Sequence, residues 1–248
     1  MTETPANTTA EDKKPNKLGL ILFLLFATIV FVGLGVWQVQ RLGWKEALIA
    51  RVDSRIHATA QPAPAQAQWP EITRDKDEYR HVKVTGIYLN QDERLVYAST
   101  DLGPGYWVVT PLKQADGSYV LINRGFVPLD KKDPATRPGS QIDKAVTVTG
   151  LLRMSEPGGG FLRANKPDQD RWYSRDVVAM ARKDGLAPVA PYFIDADKSA
   201  TSDTLPVGGL TQVHFPNNHL QYALTWFAMA IMSLGFVVYI LRYRERAR

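Results

Sequence analysis

Two stretches decide the fold: LGLILFLLFATIVFVGLGVWQVQ, residues 18–40, and LQYALTWFAMAIMSLGFVVYIL, residues 220–241. They run for 23 and 22 residues without a single Asp, Glu, Lys or Arg. A helix needs about 20 such residues to cross the hydrocarbon core of a bilayer, so both are expected to be transmembrane helices. Aromatic residues of the interfacial type border them. Trp37 closes the first run, Tyr222 and Trp226 open the second, and Tyr239 and Tyr243 close it. A signal peptide has an apolar region of only about 7–15 residues and a small-residue cleavage site. The first run is longer and ends in Val-Trp-Gln-Val-Gln-Arg, which favours an anchor that is retained.

Charge sets the expected orientation. Lys13, Lys14 and Lys17 precede the first run, and Arg242, Arg244, Arg246 and Arg248 follow the second. The positive-inside bias then places both termini in the cytoplasm. Arg41, Lys45, Arg51 and Arg55 pull the other way, but long translocated segments tolerate such charges. The expected organisation is a cytoplasmic tail (1–17), a transmembrane helix (18–40), a helical extension and linker (41–70), an extracytoplasmic β-rich domain (71–218), a second transmembrane helix (219–241) and a cytoplasmic tail (242–248). In a bacterium this is a multi-pass inner-membrane protein with a periplasmic domain. In a mitochondrion the domain would face the intermembrane space.

Composition excludes several function classes. The 248 residues include no cysteine, so disulfide frameworks, thiolate zinc sites, iron–sulfur clusters and dithiol copper transfer are ruled out. Residues 41–218 carry 23 basic and 21 acidic residues, so the net charge of +5 lies mostly in the tails. That leaves no basic face of the kind nucleic-acid binding leans on. Gly33-Leu34-Gly35 lies inside an apolar run and opens no nucleotide-binding turn. No nucleophile-elbow or zinc-protease motif is present, so no enzyme activity is expected.

The middle of the chain reads as mainly β. His81–Leu89 and Val146–Leu152 alternate with a period of two, and Arg94–Ser99 is a short run. Gly105–Leu112 and Ser118–Val127 flank Asp116-Gly117, a strong hairpin signal. Pro188–Ile194 reads as a further strand. Ser174–Lys183 is the amphipathic helix, with Ser174 as its cap and Gly185 as its stop. Ala58–Pro70, rich in Ala, Gln and Pro, reads as a linker. Gly158-Gly159-Gly160 reads as a flexible loop, and 197–209 as an irregular return to the second apolar run. The fold class is therefore a membrane protein: two transmembrane α-helices flanking a small, mainly-β (α+β) domain.

An ordered set of residues from end to end carries a family resemblance. It comprises Gly35, Trp37-Gln38, Arg41 and Trp44-Lys45; Tyr79-Arg80 and Gly86; Pro104-Gly105-Tyr106 and Val109-Thr110-Pro111-Leu112. It continues with Val120 to Pro128 (VLINRGFVP), Trp172-Tyr173, Arg175-Asp176, and Asn217 to Phe227 (NNHLQYALTWF). This resembles the first Surfeit-locus protein family, over about residues 18–245. Phe126 stands where that family usually has Trp, a change between two large aromatics. The resemblance implies an assembly factor for a haem-copper (cytochrome c) oxidase, without catalytic turnover. It implies a role in maturing subunit I, with haem a as a transiently bound cofactor and haem A synthase as a possible further partner. The alternative is a cofactor-free membrane scaffold for subunit I.

His219 is the leading candidate for a haem-iron ligand, since a neutral imidazole nitrogen can serve as an axial ligand. The competing reading is an interfacial histidine that only caps its helix. His219, Tyr222, Ala223, Trp226, Ala230 and Ser233 share one helical face, and Gly33, Trp37, Arg41 and Trp44 make a comparable face on the first run. If Gly33, Ala223 and Ala230 let the helices approach closely, Trp37, Gln38, Arg41, His219, Tyr222 and Trp226 would gather as an aromatic-walled slot. Arg41 could then pair with a haem propionate. The bland alternative is two anchor belts that meet no ligand. Arg124 could contact a partner or a propionate, or form an ion pair inside the domain. Trp172 and Tyr173 read as core. His81 is expected on a solvent face, His57 at the linker, and His214 is a weaker second ligand candidate.

Overall fold

The computed structural model describes residues 17–160, 162–198, 205–211, 213 and 215–246. Two long apolar helices at the two ends of the chain flank a β-rich stretch. The helices are α1 (Lys17–Ile56), α2 (Arg74–Asp77), α3 (Val177–Lys183) and α4 (His219–Arg246). The strands are β1 (Gln61–Pro62), β2 (His81–Tyr88), β3 (Arg94–Thr100), β4 (Gly103–Lys113), β5 (Tyr119–Pro128), β6 (Val146–Met154), β7 (Gly159–Gly160), β8 (Arg163–Ala164) and β9 (Val189–Ala196). The chain divides into two compact units, Met1–Ile49 with Phe215–Arg248, and Ala50–His214.

In the first unit, α1 and α4 run side by side. At 1.5 Å per residue α1 is about 60 Å long, twice the thickness of a hydrocarbon core. Residues 18–40 of α1 and 220–241 of α4 are apolar over nearly their whole circumference, so sequence periodicity does not mark a contact face there. The face is marked instead by small and polar residues. Ala223, Ala230, Ser233 and Val237 are buried on α4, and Gly35 and Gln38 on α1. The Ser233 hydroxyl donates to the Leu24 carbonyl oxygen (2.9 Å). Phe31 stacks on Trp226 with ring centroids 5.8 Å apart, and Gln38 meets His219. Leu24, Phe31 and Gln38 are seven residues apart, as are Ser233, Trp226 and His219, so the helices pair antiparallel in a heptad register. The contact face expected on α1 is thereby corrected. A Cβ added at Gly33 would meet nothing within 4 Å, whereas one at Gly35 would lie 2.6 Å from the Phe227 ring. Gly35, two positions further on, is the glycine that allows close approach.

The second unit is built on one seven-stranded sheet in the order β1-β2-β6-β9-β5-β4-β3. Strand β2 also pairs with β4, through Ile87↔Lys113 and Tyr88↔Leu112, so β2-β6-β9-β5-β4 close into a small barrel. Among the described strands, the β1–β2 and β5–β9 pairs are parallel. Of the three buried apolar clusters among the described residues, two are supplied by period-two alternation on shared strands. Val82, Val84, Val120, Ile122, Tyr192 and Ile194 point into one, and Leu121 and Phe193, from the opposite faces of β5 and β9, join the other. That second core is covered by Trp172 and by Val177 and Met180 of α3. The β4–β5 hairpin turns at Asp116-Gly117 as the sequence indicates, with the Asp116 carboxylate accepting from the Ser118 backbone N–H at 2.9 Å.

Three local expectations are corrected. The stretch Ala58–Pro70 does not run free: β1 pairs with β2, Ala63 and Trp69 pack on the core, and the Pro64 carbonyl accepts from Trp69 Nε1 and the Tyr192 hydroxyl. The cap of α3 is Asp176, whose carboxylate accepts from the Ala179 N–H at 3.0 Å, because the Ser174 hydroxyl is engaged by the Glu156 carbonyl. The expected stop holds: Gly185, with φ +65°, follows the last turn. Gly159-Gly160 is not a loose loop but one strand of a ribbon with Arg163-Ala164.

Candidate functional site

In the first unit the surface is inverted. Leu22, Phe23, Phe26, Ile29, Ile231 and Phe236 are among the large apolar side chains left exposed, while Gln38 and Ser233 are buried between the helices. Water-soluble helix pairs show the reverse arrangement. Within this apolar pair, Gln38 is 8% exposed and its Oε1 lies 2.7 Å from His219 Nδ1. With the amide oxygen facing the ring, the contact is a hydrogen bond when Nδ1 carries the proton. His219 Nε2 makes no hydrogen bond among the described residues.

Of the expected slot residues, the structure unites Gln38 with His219, and Trp226 with Phe31. Arg41 stacks over Trp44, 4.1 Å from the ring centroid, and has no carboxylate partner among the described residues. Trp37 and Tyr222 are each 54% exposed, off the buried stripe. Neighbouring helix positions are about 100° apart, so Trp37 and Tyr222 diverge from the faces that carry Gln38 and Ala223. Lys45 lies 5.1 Å from the Phe215 ring centroid, a contact not foreseen from the sequence.

The other candidates belong to the second unit. His81 is not on an open solvent face: Nε2 lies 2.7 Å from Asp197 Oδ2, and Nδ1 2.8 Å from the Ala58 carbonyl oxygen. His57 is exposed beside Asp53, and His214 lies outside the described residues. Arg124 is the extra residue of a β-bulge on β5, next to Gly125 with φ +127°. Its side chain turns inward, donates to the Ser140 carbonyl and lies 4.4 Å over the Tyr88 ring. Burial, together with Arg137 alongside, pulls its pKa below the ordinary guanidinium value, while Tyr88 and Glu93 oppose the shift. Arg137 rather than Arg124 holds the ion pair, with Glu93. Arg124 is therefore an interior residue, and its packing leaves no exposed guanidinium for a partner. Trp172 is fully buried, as expected, whereas Tyr173 stacks on the half-exposed Tyr97.

Sequence reading missed one site. A cleft of about 620 Å³ is lined by Thr100, Leu102, Trp107, Asn123, Arg153, Arg175, Asp195 and Thr211, among others. Its floor is a hydrogen-bonded mesh in which Arg153 Nε has no hydrogen-bond partner among the described residues. Asp195 accepts from Asn123, Arg175, Arg153 and Thr211 at 2.7, 3.1, 2.9 and 3.0 Å. Arg175 also clasps Glu156. Burial opposes ionisation of Glu156, but the Arg175 hydrogen bonds and charge prevail and hold its carboxyl below the usual range. The adjacency of β5, β6 and β9 brings Asn123, Arg153 and Asp195 together, and Glu156, Arg175 and Thr211 join from outside the strands. The mesh is a clamp on the barrel, with its charges matched. No group of three or more His, Asp or Glu side chains suited to a metal ion occurs among the described residues.

Comparison with known proteins agrees with this architecture. The profile described as the SURF1 family matches residues 25–231. Surfeit locus protein 1 of Rattus norvegicus is 38% identical over 237 residues, covering 89% of this chain and 75% of that protein. The Homo sapiens protein of the same name is 38% identical over 224 residues, 84% and 72% of the two chains. A SURF1-like protein of Monosiga brevicollis is 34% identical over 237 residues, 90% and 88%. The family match begins within α1, spans the barrel and ends within α4, and on that extent this chain belongs to the SURF1 family.

Proposed function

We propose that this protein is a membrane-anchored, non-catalytic assembly factor for a haem-copper (cytochrome c) oxidase, and that it binds haem a through His219 for insertion into subunit I. The observation that carries this reading is the Gln38–His219 pair, a polar couple with Gln38 buried and His219 half-buried in an apolar helix pair of a SURF1 family member. Polar groups between lipid-solvated helices are costly and tend to be functional.

The residues fit the group. His219 offers an Nε2 free of hydrogen bonds. Trp37 and Tyr222 present half-exposed rings that suit a flat apolar ligand. Arg41 has no carboxylate partner among the described residues and suits a propionate. If bound, haem a would supply an iron that His219 could ligate, and the chain's own residues would hold and orient it. The two apolar helices span the membrane in this reading. Both termini are cytoplasmic, and residues 71–218 are extracytoplasmic, periplasmic in a bacterial inner membrane. Subunit I is the acceptor in this reading, with haem A synthase a possible further partner.

A second reading, a cofactor-free scaffold for subunit I, draws on the second unit's surface. Leu162 is 88% exposed and lies next to Arg163, which sits over Tyr173. Large apolar and aromatic residues left on a surface favour protein docking. Deletion of the gene separates function from bystander status. The account expects oxidase lacking part of its haem a, with the defect reproduced by His219→Ala. Full restoration by His219→Ala would favour the scaffold, and normal oxidase haem content after deletion would remove the assembly role.

A further inference from the structure

We propose that Gln38 is a positioning residue that sets the tautomer of His219. It holds the ring proton on Nδ1 and so keeps Nε2 as the lone-pair nitrogen. The haem reading gives this arrangement its purpose, but the geometry stands without it. Gln38 is buried between the helices, 8% exposed, with Oε1 2.7 Å from His219 Nδ1. An amide oxygen cannot donate, so the opposite tautomer would set two lone pairs against each other in apolar surroundings. A neutral histidine in water favours the proton on Nε2, so the pairing reverses the ordinary preference. The heptad register fixes the partner: the Ser233–Leu24 and Phe31–Trp226 contacts lock the stripe that brings Gln38 opposite His219. A residue that holds the far nitrogen of a ligating imidazole fixes ring orientation and ligand basicity.

The test uses the full chain in lipid nanodiscs, haem-free, with histidine labelled by 15N. The four histidines make the spectrum tractable. In the neutral ring the wild-type His219 signals should show protonated Nδ1 and unprotonated Nε2. A proton on Nε2 would overturn the proposal. Gln38→Leu should move the ring toward the Nε2-protonated form, while Gln38→Glu, which keeps an acceptor, should preserve the wild-type pattern. An unchanged tautomer in Gln38→Leu would also overturn it. The wild-type spectrum decides even if that variant misfolds. Titration with haemin supplies the second readout, with Gln38→Leu binding about 10–100-fold more weakly and Gln38→Glu recovering affinity. If wild-type protein shows the Nδ1-protonated ring but no haemin binding, the ligand reading fails and the positioning role stands.

Discussion

At the scale of single residues, Asp195 carries the heaviest obligation. Its carboxylate accepts from two guanidinium groups, an amide and a hydroxyl, and it is 3% exposed. Removing it leaves Arg153 and Arg175 partly unmatched in a buried setting. Asp195→Ala should cost about 3–5 kcal/mol in denaturant unfolding of the full chain in detergent. A loss no larger than that of a surface substitution would show the mesh to be dispensable.

His81 gives a pH signature. Burial pushes its imidazole down, but the Asp197 hydrogen bond, the Ala58 carbonyl and the charge of Asp197 outweigh it and leave the pKa raised from 6.5. The folded state therefore favours the protonated ring. The stabilisation is complete below about pH 6.5 and is lost as pH rises through the raised folded value. His81→Gln should cost more stability at about pH 5.5 than at about pH 8.5, with a difference under about 1 kcal/mol, since the site is partly solvated. An equal loss at both values would contradict the pairing. Gly125 is a third test. Its φ is +127°, and a Cβ there would lie 2.2 Å from the Val207 carbonyl oxygen. Gly125→Ala should cost at least about 2 kcal/mol, by strain and by displacing the segment that pairs with Phe126. Gly139→Ala, where nothing lies within 4 Å, is the control and should stay within about 0.5 kcal/mol.

At the scale of elements, legibility followed periodicity. The barrel strands were readable because half-buried strands alternate, as in Val82, Val84 and Gly86 of β2. The hairpin was readable because Asp-Gly has one dominant use. Residues 58–70 misled because Ala, Pro and Gln carry no period, yet the carbonyl of Pro64 is a bonding hub. Ser174 and Asp176 are both competent caps, and only tertiary contact to Glu156 decides between them. The α1 face was illegible for a different reason: its apolar run offers no stripe, and Trp37 and Arg41, the residues that stand out in it, are exposed away from the helix contact. Gly35 offers the direct check. Because the chain lacks cysteine, Leu24→Cys with Ser233→Cys can report the pairing by cross-linking. The disulfide should form efficiently in the parent and far less with Gly35→Leu, which drives a side chain at the Phe227 ring. Undiminished cross-linking would mean the helices do not depend on that approach.

At the scale of the whole molecule, the chain combines a barrel clamped by matched charges with a helix pair that is apolar outside and polar within. His219 was legible as a candidate from its place at the head of the second apolar run, and family resemblance pointed to its chemistry. The Gln38 pairing needed three dimensions, since the two residues are 181 positions apart. The most direct test is the visible absorbance spectrum of the full-length protein purified from a host that makes haem a. The account predicts a bound haem a spectrum in the wild type that is lost in His219→Ala. Wild-type protein without haem, or an identical spectrum in the variant, would contradict it.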